Sequence, residues 1–178
     1  MIAVLDANVL FPTVLREILC GTAVSGLFTP VWSERILREW THAAGKLGAQ
    51  DAEIARAEAA LLREQFPQAL TPGDEERARG FDLPDPADLH VLAAALETGA
   101  DLVVTMNLRD FPPRALPAGL QAIHPDAFLT RLWAQHPDRV TAAARAAHEK
   151  ANRLGAGIEF RALMKRARLP RLGRAITR

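Results

Sequence analysis

The 178-residue chain contains 49% apolar residues, one cysteine, and 22 Lys and Arg against 21 Asp and Glu, which gives a net charge of +1. This composition fits one globular domain, or one domain with a helical appendage, and excludes a disulfide framework and a zinc–thiolate site. No apolar run approaches the roughly 20 residues that span a bilayer, and the N-terminal stretch MIAVLDANVLF does not have the pattern of a signal peptide. We therefore expect a soluble, cytoplasmic protein with no membrane partner.

The chain begins with an apolar strand pattern. Residues 2–6 form a continuous apolar run that ends in a carboxylate, which is typical of a strand buried on both faces of a parallel sheet. Residues 12–21 predict a helix that is closed by Gly21, and residues 26–32 predict a second short strand.

Two helices are predicted next. Residues 33–48 have Ser33 as N-cap and an apolar side that includes Trp40, and residues 51–66 have Asp51 as cap. The stretch that follows, from residue 69 to residue 84, has a mixed pattern that predicts no element.

The middle of the chain predicts a helix followed by a strand. Asp85 and the proline after it start a helix that Gly99 terminates, and residues 101–105 are a β-branched apolar strand. Residues 119–125 predict a final strand, and residues 126–136 a further helix. This order indicates an α/β fold on a parallel sheet.

The C-terminal part differs from the rest in charge. Residues 131–178 carry 12 Lys and Arg against 3 Asp and Glu, a net +9, whereas residues 1–130 carry 10 against 18, a net −8. We expect residues 1–130 to form the main domain and residues 131–178 a basic helical extension of two helices, separated at Gly155 and Gly157. Clustered basic charge attracts nucleic acid, but an acidic partner protein or a solvated helix face gives the same pattern.

Polar side chains follow two of the predicted strands. Asp6 ends the first strand, and Asn107 and Asp110 come after the strand at residues 101–105. In doubly wound sheets, ligands bind beyond the carboxyl ends of the strands, so these side chains converge if the two strands are neighbours. A buried carboxylate such as Asp6 needs polar partners or a cation.

Two further carboxylates have a structural and a functional interpretation. Asp88 either caps the helix that begins near Asp85 or points toward the sheet and reaches a metal; taken alone, its position favours the cap. Glu39 lies at the edge of an apolar stripe, and taken alone it is solvated, although its neighbours Glu34, Arg35 and Arg38 are better candidates for that role. Together with the strand-end acids, the two would suit a hard cation such as Mg²⁺, which activates water for phosphodiester hydrolysis.

The cysteine and the histidines add little to these candidates. Cys20 lies in an apolar helical pattern, which indicates a buried structural thiol. His90 lies near Asp88 but off its helical face, and we interpret it as structural. The other four histidines have no metal-ligand spacing.

Three segments, VLDANVL, ILREW and DLHVLAAALETGADLVVTMNLRDF, resemble the PIN-domain ribonucleases over roughly residues 1–130. The resemblance is strongest to the VapC-like toxins of bacterial toxin–antitoxin pairs. It implies a PIN-like three-layer α/β fold, with a central, mostly parallel sheet flanked by helices.

The resemblance also implies roles for individual residues. The catalytic acids would be Asp6, Glu39, Asp88 and Asp110. The metal would be held by Asp6, Asp88, Asn107 and Asp110. Asn107 stands where many relatives have Asp, so either Asn107 or Asp110 could be the residue that contacts the metal. Asn8 and Thr105 match polar positions that support the site.

The function implied is a Mg²⁺- or Mn²⁺-dependent endoribonuclease that hydrolyses single-stranded or structured RNA. It would be the homodimeric toxin of a toxin–antitoxin pair, with a cognate antitoxin as its protein partner. The basic stretch MKRARLPRLGR would contact RNA backbone through Lys165, Arg166, Arg168 and Arg171.

Two alternatives remain open. One is a non-catalytic nucleic-acid-binding module with a degenerate PIN site; the acids in VLDANVL, ILREW and PADLH argue against it, and Asn107 leaves it open. The other is phosphoryl transfer through an aspartyl nucleophile at Asp6. That chemistry needs a second acid two residues later, and Asn8 at that position argues against it.

Overall fold

The computed structural model describes all 178 residues, and the chain divides into two compact units. The first unit consists of residues 1–11 and 29–123, and the second of residues 12–28 and 124–178. The contacts thus group residues 12–28 with the C-terminal part, whereas the division into folding domains at residue 130 remains a prediction. None of the helices combines the length and apolar character that crossing a membrane requires.

The first unit contains a five-stranded sheet in which all pairs are parallel. Its strands are β1 (Ile2–Leu5), β2 (Thr29–Ser33), β3 (Leu70–Thr71), β4 (Leu102–Val104) and β5 (Gln121–Ile123). Their order across the sheet is β3-β2-β1-β4-β5, so β1 is central. The α/β fold with a parallel sheet is confirmed, and β3 lies in the stretch for which the sequence predicts no element.

Helices flank the sheet and make up most of the remaining chain. In chain order they are α1 (Ala7–Leu10), α2 (Thr13–Val24), α3 (Glu34–Gly45), α4 (Ala49–Gln65), α5 (Leu89–Thr98), α6 (Pro125–Gln135), α7 (Pro137–Arg153), α8 (Phe160–Arg166) and α9 (Pro170–Ile176). Within the first unit, α5 contacts β1, β2 and β4, and α3 contacts β2 and α4. Short 3₁₀ turns at Glu75–Ala78, Pro86–Asp88 and Leu108–Asp110 lie in the loops.

The ends of the helices agree with the sequence in most places. The Ser33 hydroxyl accepts the Ile36 N–H at 3.2 Å and caps α3, as predicted. Gly99, with φ of +61°, is the left-handed residue that ends α5, also as predicted. The prediction for Asp51 is wrong, because α4 begins earlier at Ala49 and Asp51 lies within its first turn.

Gly21 has a different role from the predicted helix end. Helix α2 continues through Gly21 to Val24, and a Cβ atom at Gly21 would lie 3.1 Å from the Cβ of Ala143 in α7. The glycine therefore allows α2 and α7 to pack closely within the second unit.

The second unit is entirely helical. The buried Asp126 carboxylate of α6 accepts the backbone N–H groups of Arg171 and Leu172, both at 3.0 Å, and so fixes the start of α9. The sequence predicted two helices in the C-terminal extension. The first is α7, but the second is divided into α8 and α9 by a break at Arg168, which has φ of +60°. Cys20 is buried and its pKa is raised to about 12 by burial, which confirms a structural thiol.

A glycine in the first unit fixes the loop that leads to Asp88. Gly73 has φ of +67°, its N–H donates to the Glu97 carboxylate at 2.8 Å, and a Cβ atom there would lie 2.7 Å from the Cβ of Ser33. Thr71 donates to the same Glu97 oxygen at 2.8 Å. The end of β3 is therefore held against α5 through a position that excludes any side chain.

We expect Gly73→Ala to lower the free energy of unfolding by about 3 kcal/mol, because left-handed strain adds to a clash with Ser33. Gly119→Ala is the matched control, since Gly119 also has positive φ (+93°) but open space around it. That change should cost only about 1 kcal/mol. Equal losses in urea unfolding of the two variants would contradict the packing role of Gly73.

Candidate active site

The candidate site lies where the order of the strands reverses. From β1 the chain proceeds outward through β2 to β3, and then returns to the other side of β1 to form β4 and β5. Such a reversal leaves a crevice beyond the carboxyl ends of the two central strands, which is where open α/β sheets bind ligands. Leu5 pairs with Val104, so Asp6 and Thr105 leave adjacent strands side by side.

Asp6 is buried within a network of hydrogen bonds. Its Oδ2 atom accepts the Thr105 hydroxyl at 2.7 Å and the Asn8 amide at 2.6 Å. The Asn8 carbonyl oxygen accepts the Met106 N–H at 3.0 Å, and the Thr105 hydroxyl oxygen accepts the Asn107 N–H at 3.0 Å. Burial raises the pKa of Asp6, and the hydrogen bonds from Thr105 and Asn8 oppose that increase. Both predicted supporting residues thus contact the predicted first acid.

Asp88 lies within electrostatic range of several other carboxylates. Asp85 accepts the Ala87 N–H at 2.9 Å and caps the 3₁₀ turn, whereas the Asp88 side chain makes no capping hydrogen bond. Burial raises the pKa of Asp88 to about 7, and the negative charges of nearby acids add to this effect. Those acids are Asp6, Asp110, Asp85 and Glu39. The structure therefore places the other three predicted catalytic acids within electrostatic reach of Asp88.

Glu39 is positioned by Arg35, for which the sequence predicted only a solvated role. Arg35 Nε lies 3.3 Å from Glu39 Oε1, and Arg35 also pairs with Glu75 and donates to the Ala87 carbonyl at 3.1 Å. Burial raises the pKa of Glu39, while Arg35 acts in the opposite direction. The expectation that Arg35 is merely solvated is wrong, since it connects α3 to the two 3₁₀ turns that precede α5.

His90 lies beneath Glu39. Its side chain is fully buried, and its Nε2 atom lies 3.0 Å from Glu39 Oε1 without the geometry of a regular hydrogen bond. Burial lowers the pKa of His90 to about 4, so the ring is neutral at pH 7 and the contact is not an ion pair. The i, i+4 spacing of Arg35 and Glu39 could have indicated the contact between those two side chains. No signal in the sequence indicated the contact between His90 and Glu39.

The side chains of Asn107 and Asp110 are in direct contact. The Asn107 amide donates to the Asp110 carboxylate, and the Asn107 backbone is held by Thr105. Asp110 ends the 3₁₀ turn Leu108–Asp110 and is half-buried. Both oxygen-bearing groups therefore stand at the carboxyl end of β4, next to the network around Asp6.

The donor set suits a hard divalent cation in charge and chemistry. Its atoms are carboxylate and amide oxygens, and the pKa of Asp88 is raised first by burial and then by the negative charges of the neighbouring acids. No three His, Cys, Asp or Glu side chains form a group that could hold a metal ion directly. Mg²⁺ commonly keeps several waters and is bound through only one or two carboxylates. It therefore suits this arrangement, which does not form a closed cage of protein ligands.

The four basic residues predicted to contact RNA lie in the second unit. All four are exposed. Lys165 and Arg166 lie at the end of α8, Arg168 lies in the turn that follows, and Arg171 lies in the first turn of α9. Their contact with RNA remains a prediction.

Comparison with known protein families identifies the fold. The family described as the PIN domain matches residues 3–109, which is more than half of the chain. The chain belongs to the PIN-domain family. The PIN-like α/β fold is therefore confirmed, and the matched region of this PIN domain includes Asp6, Glu39 and Asp88 and extends to Asn107.

One curated protein resembles this PIN domain over a short segment. The "Putative ribonuclease VapC50" of Mycobacterium tuberculosis is 54% identical over 43 residues. The segment spans 24% of this chain and 25% of that protein. No solved structure matches the chain.

The network around Asp6 predicts an unequal response of two buried threonines. Thr105→Val removes a donor to a buried carboxylate, so we expect the free energy of unfolding to fall by about 2 kcal/mol. Thr22→Val is the matched control, because Thr22 is equally buried but its hydroxyl has no partner. That change should be neutral within about 0.5 kcal/mol, or stabilising. Equal effects in denaturant unfolding would contradict the network.

The carboxylates around Asp88 predict how stability depends on pH without metal. Because the pKa of Asp88 is higher in the folded chain than in the unfolded chain, the folded state binds the proton more tightly. The contribution of Asp88 protonation to the free energy of unfolding therefore falls as pH rises from about 4 to about 7. We expect Asp88→Asn to become more stable relative to the wild type across that range.

The measurement is chemical unfolding in EDTA at several pH values. Glu53→Gln serves as the control, since Glu53 is exposed on α4, and its difference from the wild type should not vary with pH. A constant difference between Asp88→Asn and the wild type would show that folding does not raise the pKa of Asp88.

Proposed function

We propose that this PIN domain is a Mg²⁺- or Mn²⁺-dependent endoribonuclease. The observation that carries the proposal is the grouping of four acids from separate chain segments near the reversal of the sheet. Burial raises the pKa of Asp88 to about 7, and the charges of Asp6, Asp110 and Glu39 add to that increase. A fold has no structural use for such repulsion, and perturbed acids in a crevice are typical of sites that bind cations or transfer protons.

A divalent cation bound by these oxygens would supply Lewis acidity for attack by water on a phosphodiester. The protein's own contribution is to hold the acids in place. Asp6 is fixed by Thr105 and Asn8, and Glu39 is fixed by Arg35 above the neutral ring of His90.

Asp88 has the proton affinity of a group that exchanges protons near neutral pH. In the metal-free chain its pKa of about 7 leaves it protonated in part of the molecules at that pH, so a cation that binds there would displace a proton. Asp110, beside the amide of Asn107, completes the acidic surface on the β4 side. We assign the metal to Asp6, Asp88 and one or both of Asn107 and Asp110.

The biological role proposed is that of a toxin held inactive by a cognate antitoxin. Support comes from the similarity to a protein whose name describes a ribonuclease of the VapC group, over a quarter of each chain. A homodimer, a cytoplasmic location and RNA contacts by Lys165, Arg166, Arg168 and Arg171 belong to the same proposal.

A second candidate function is a nucleic-acid-binding module without catalysis. It is favoured by Asn107, an amide where a further carboxylate would strengthen metal binding, and by the lack of a group of three direct ligands. Metal-dependent cleavage separates the two functions.

We expect the wild type to cleave a mixed single-stranded RNA pool with Mg²⁺ or Mn²⁺, and EDTA to abolish cleavage. Asp6→Asn should lower the rate by more than roughly 100-fold, because changes in residues that only support metal ligands already cost about 10- to 100-fold. Asp51→Asn, on the exposed side of α4, is the matched control and should retain full activity.

Two results would count against the nuclease. Cleavage that persists in both EDTA and Asp6→Asn would identify a contaminating enzyme. RNA binding without cleavage under any metal would favour the binding module.

A further inference from the structure

An open cleft of about 550 Å³ lies in the first unit between two loop segments. One wall is formed by residues 80–84 and the other by residues from Pro112 to Leu116. The first wall ends directly before the turn that carries Asp88, and the second begins two residues after Asp110. Asp88 lies four residues after Pro84 and Asp110 two residues before Pro112, so each wall of the cleft is joined by a short stretch of chain to one of the acids of the candidate site.

Both walls are fixed by local contacts. The Phe81 N–H donates to the Ala78 carbonyl at 3.1 Å, and Leu83 is buried, 4% exposed. On the opposite side, the Ala115 N–H donates to the Pro112 carbonyl at 2.9 Å. Prolines at the edges of both walls restrict the backbone further. The cleft is thus formed before any ligand arrives, and its volume lies within the roughly 300–1,000 Å³ usual for ligand sites.

The lining combines an aromatic ring with charged groups that have no ionic partner. Phe81 is half-buried and contributes to the lining, while Asp82 and Arg114 are exposed and take part in no salt bridge. An aromatic face for a base and a cation for a phosphate are the features by which proteins bind unpaired nucleotides. A carboxylate such as Asp82 only accepts hydrogen bonds, which suits the N–H groups of a base edge and not a phosphate.

We propose that this cleft is the subsite for one unpaired nucleotide next to the scissile phosphate of the RNA substrate. The base stacks on Phe81, the phosphate of the same nucleotide contacts Arg114, and the base edge faces Asp82. This inference rests on the proposed ribonuclease function and specifies its substrate as a strand with an unstacked nucleotide beside the cut.

The test measures binding of a fluorescent single-stranded RNA to protein carrying Asp6→Asn, so that the strand is not cut. Phe81→Leu should weaken binding roughly ten-fold, and Phe81→Trp should preserve or strengthen it. Arg114→Gln should reduce the slope of log affinity against log salt concentration by about 0.7, the value for one phosphate contact on a single strand. Phe81→Leu should leave that slope unchanged.

Arg56→Gln is the charge-matched control, since Arg56 is exposed on α4 of the same unit and outside the cleft. It should alter neither affinity nor slope, and equal unfolding temperatures will exclude misfolding of the cleft variants. Unchanged binding in both Phe81→Leu and Arg114→Gln overturns the subsite, as does an equal change of slope in Arg114→Gln and Arg56→Gln.

Cleavage assays distinguish this inference from the proposed function. If the wild type cleaves RNA and the cleft variants keep its KM, the subsite is wrong and the nuclease stands. If the wild type never cleaves but binding depends on Phe81 and Arg114 as described, the subsite stands and the nuclease is wrong. Absence of any RNA binding overturns the subsite.

Discussion

The buried carboxylate of Asp6 is the constraint around which the site is organised. A charge at the end of the central strand is unfavourable unless polar groups surround it. Thr105 provides a hydroxyl from the neighbouring strand, and Asn8 provides an amide from the turn that follows Asp6. Because Asn8 also binds the backbone of Met106, the same contacts that stabilise the charge join the ends of β1 and β4. The arrangement of the candidate site and the junction of the two central strands therefore depend on one network.

The remaining acids increase the electrostatic cost of the site. The charges of Asp6 and Asp110 add to the effect of burial in raising the pKa of Asp88, whereas Arg35 pairs with Glu39 and Glu75. Sites that repel like charges in the free protein are selected for what they bind, since stability alone would replace the acids. A divalent cation bound among the carboxylates would be attracted to each of them, and this attraction would offset the repulsion between their charges. Site and stability thus oppose each other in the metal-free chain.

The sequence predicted those parts of the fold and site that depend on local pattern. The apolar strands, the caps Ser33 and Gly99, and the polar residues after β1 and β4 could all be identified from spacing and residue type. The adjacency of β1 and β4 could not be derived from pattern, because strand order depends on long-range packing. Resemblance to a family, rather than the residues by themselves, favoured a functional Asp88 over a helix cap.

Errors arose where a residue acts through a distant contact or a neighbouring position. Gly21 is a residue type that is common at helix ends, yet here it lies within α2 and allows that helix to pack closely against Ala143 in α7. Asp51 is a good cap by residue type, but the helix starts at Ala49. The break at Arg168 had a local signal in the following Pro170, which disfavours continued helix before it. Arg35 was missed because its partners Glu75 and Ala87 are far away in the sequence.

The most direct test of the account is the number of protons released when Mn²⁺ binds. Calorimetric titration at pH 6.5 in buffers of different ionisation enthalpy measures this number. If the cation binds among the repelling acids, binding should displace a large fraction of one proton, mainly from Asp88, and the release should fall in Asp88→Asn. Mn²⁺ binding that releases no protons, or the same number in both proteins, would contradict an electrostatically coupled metal site at the end of β1.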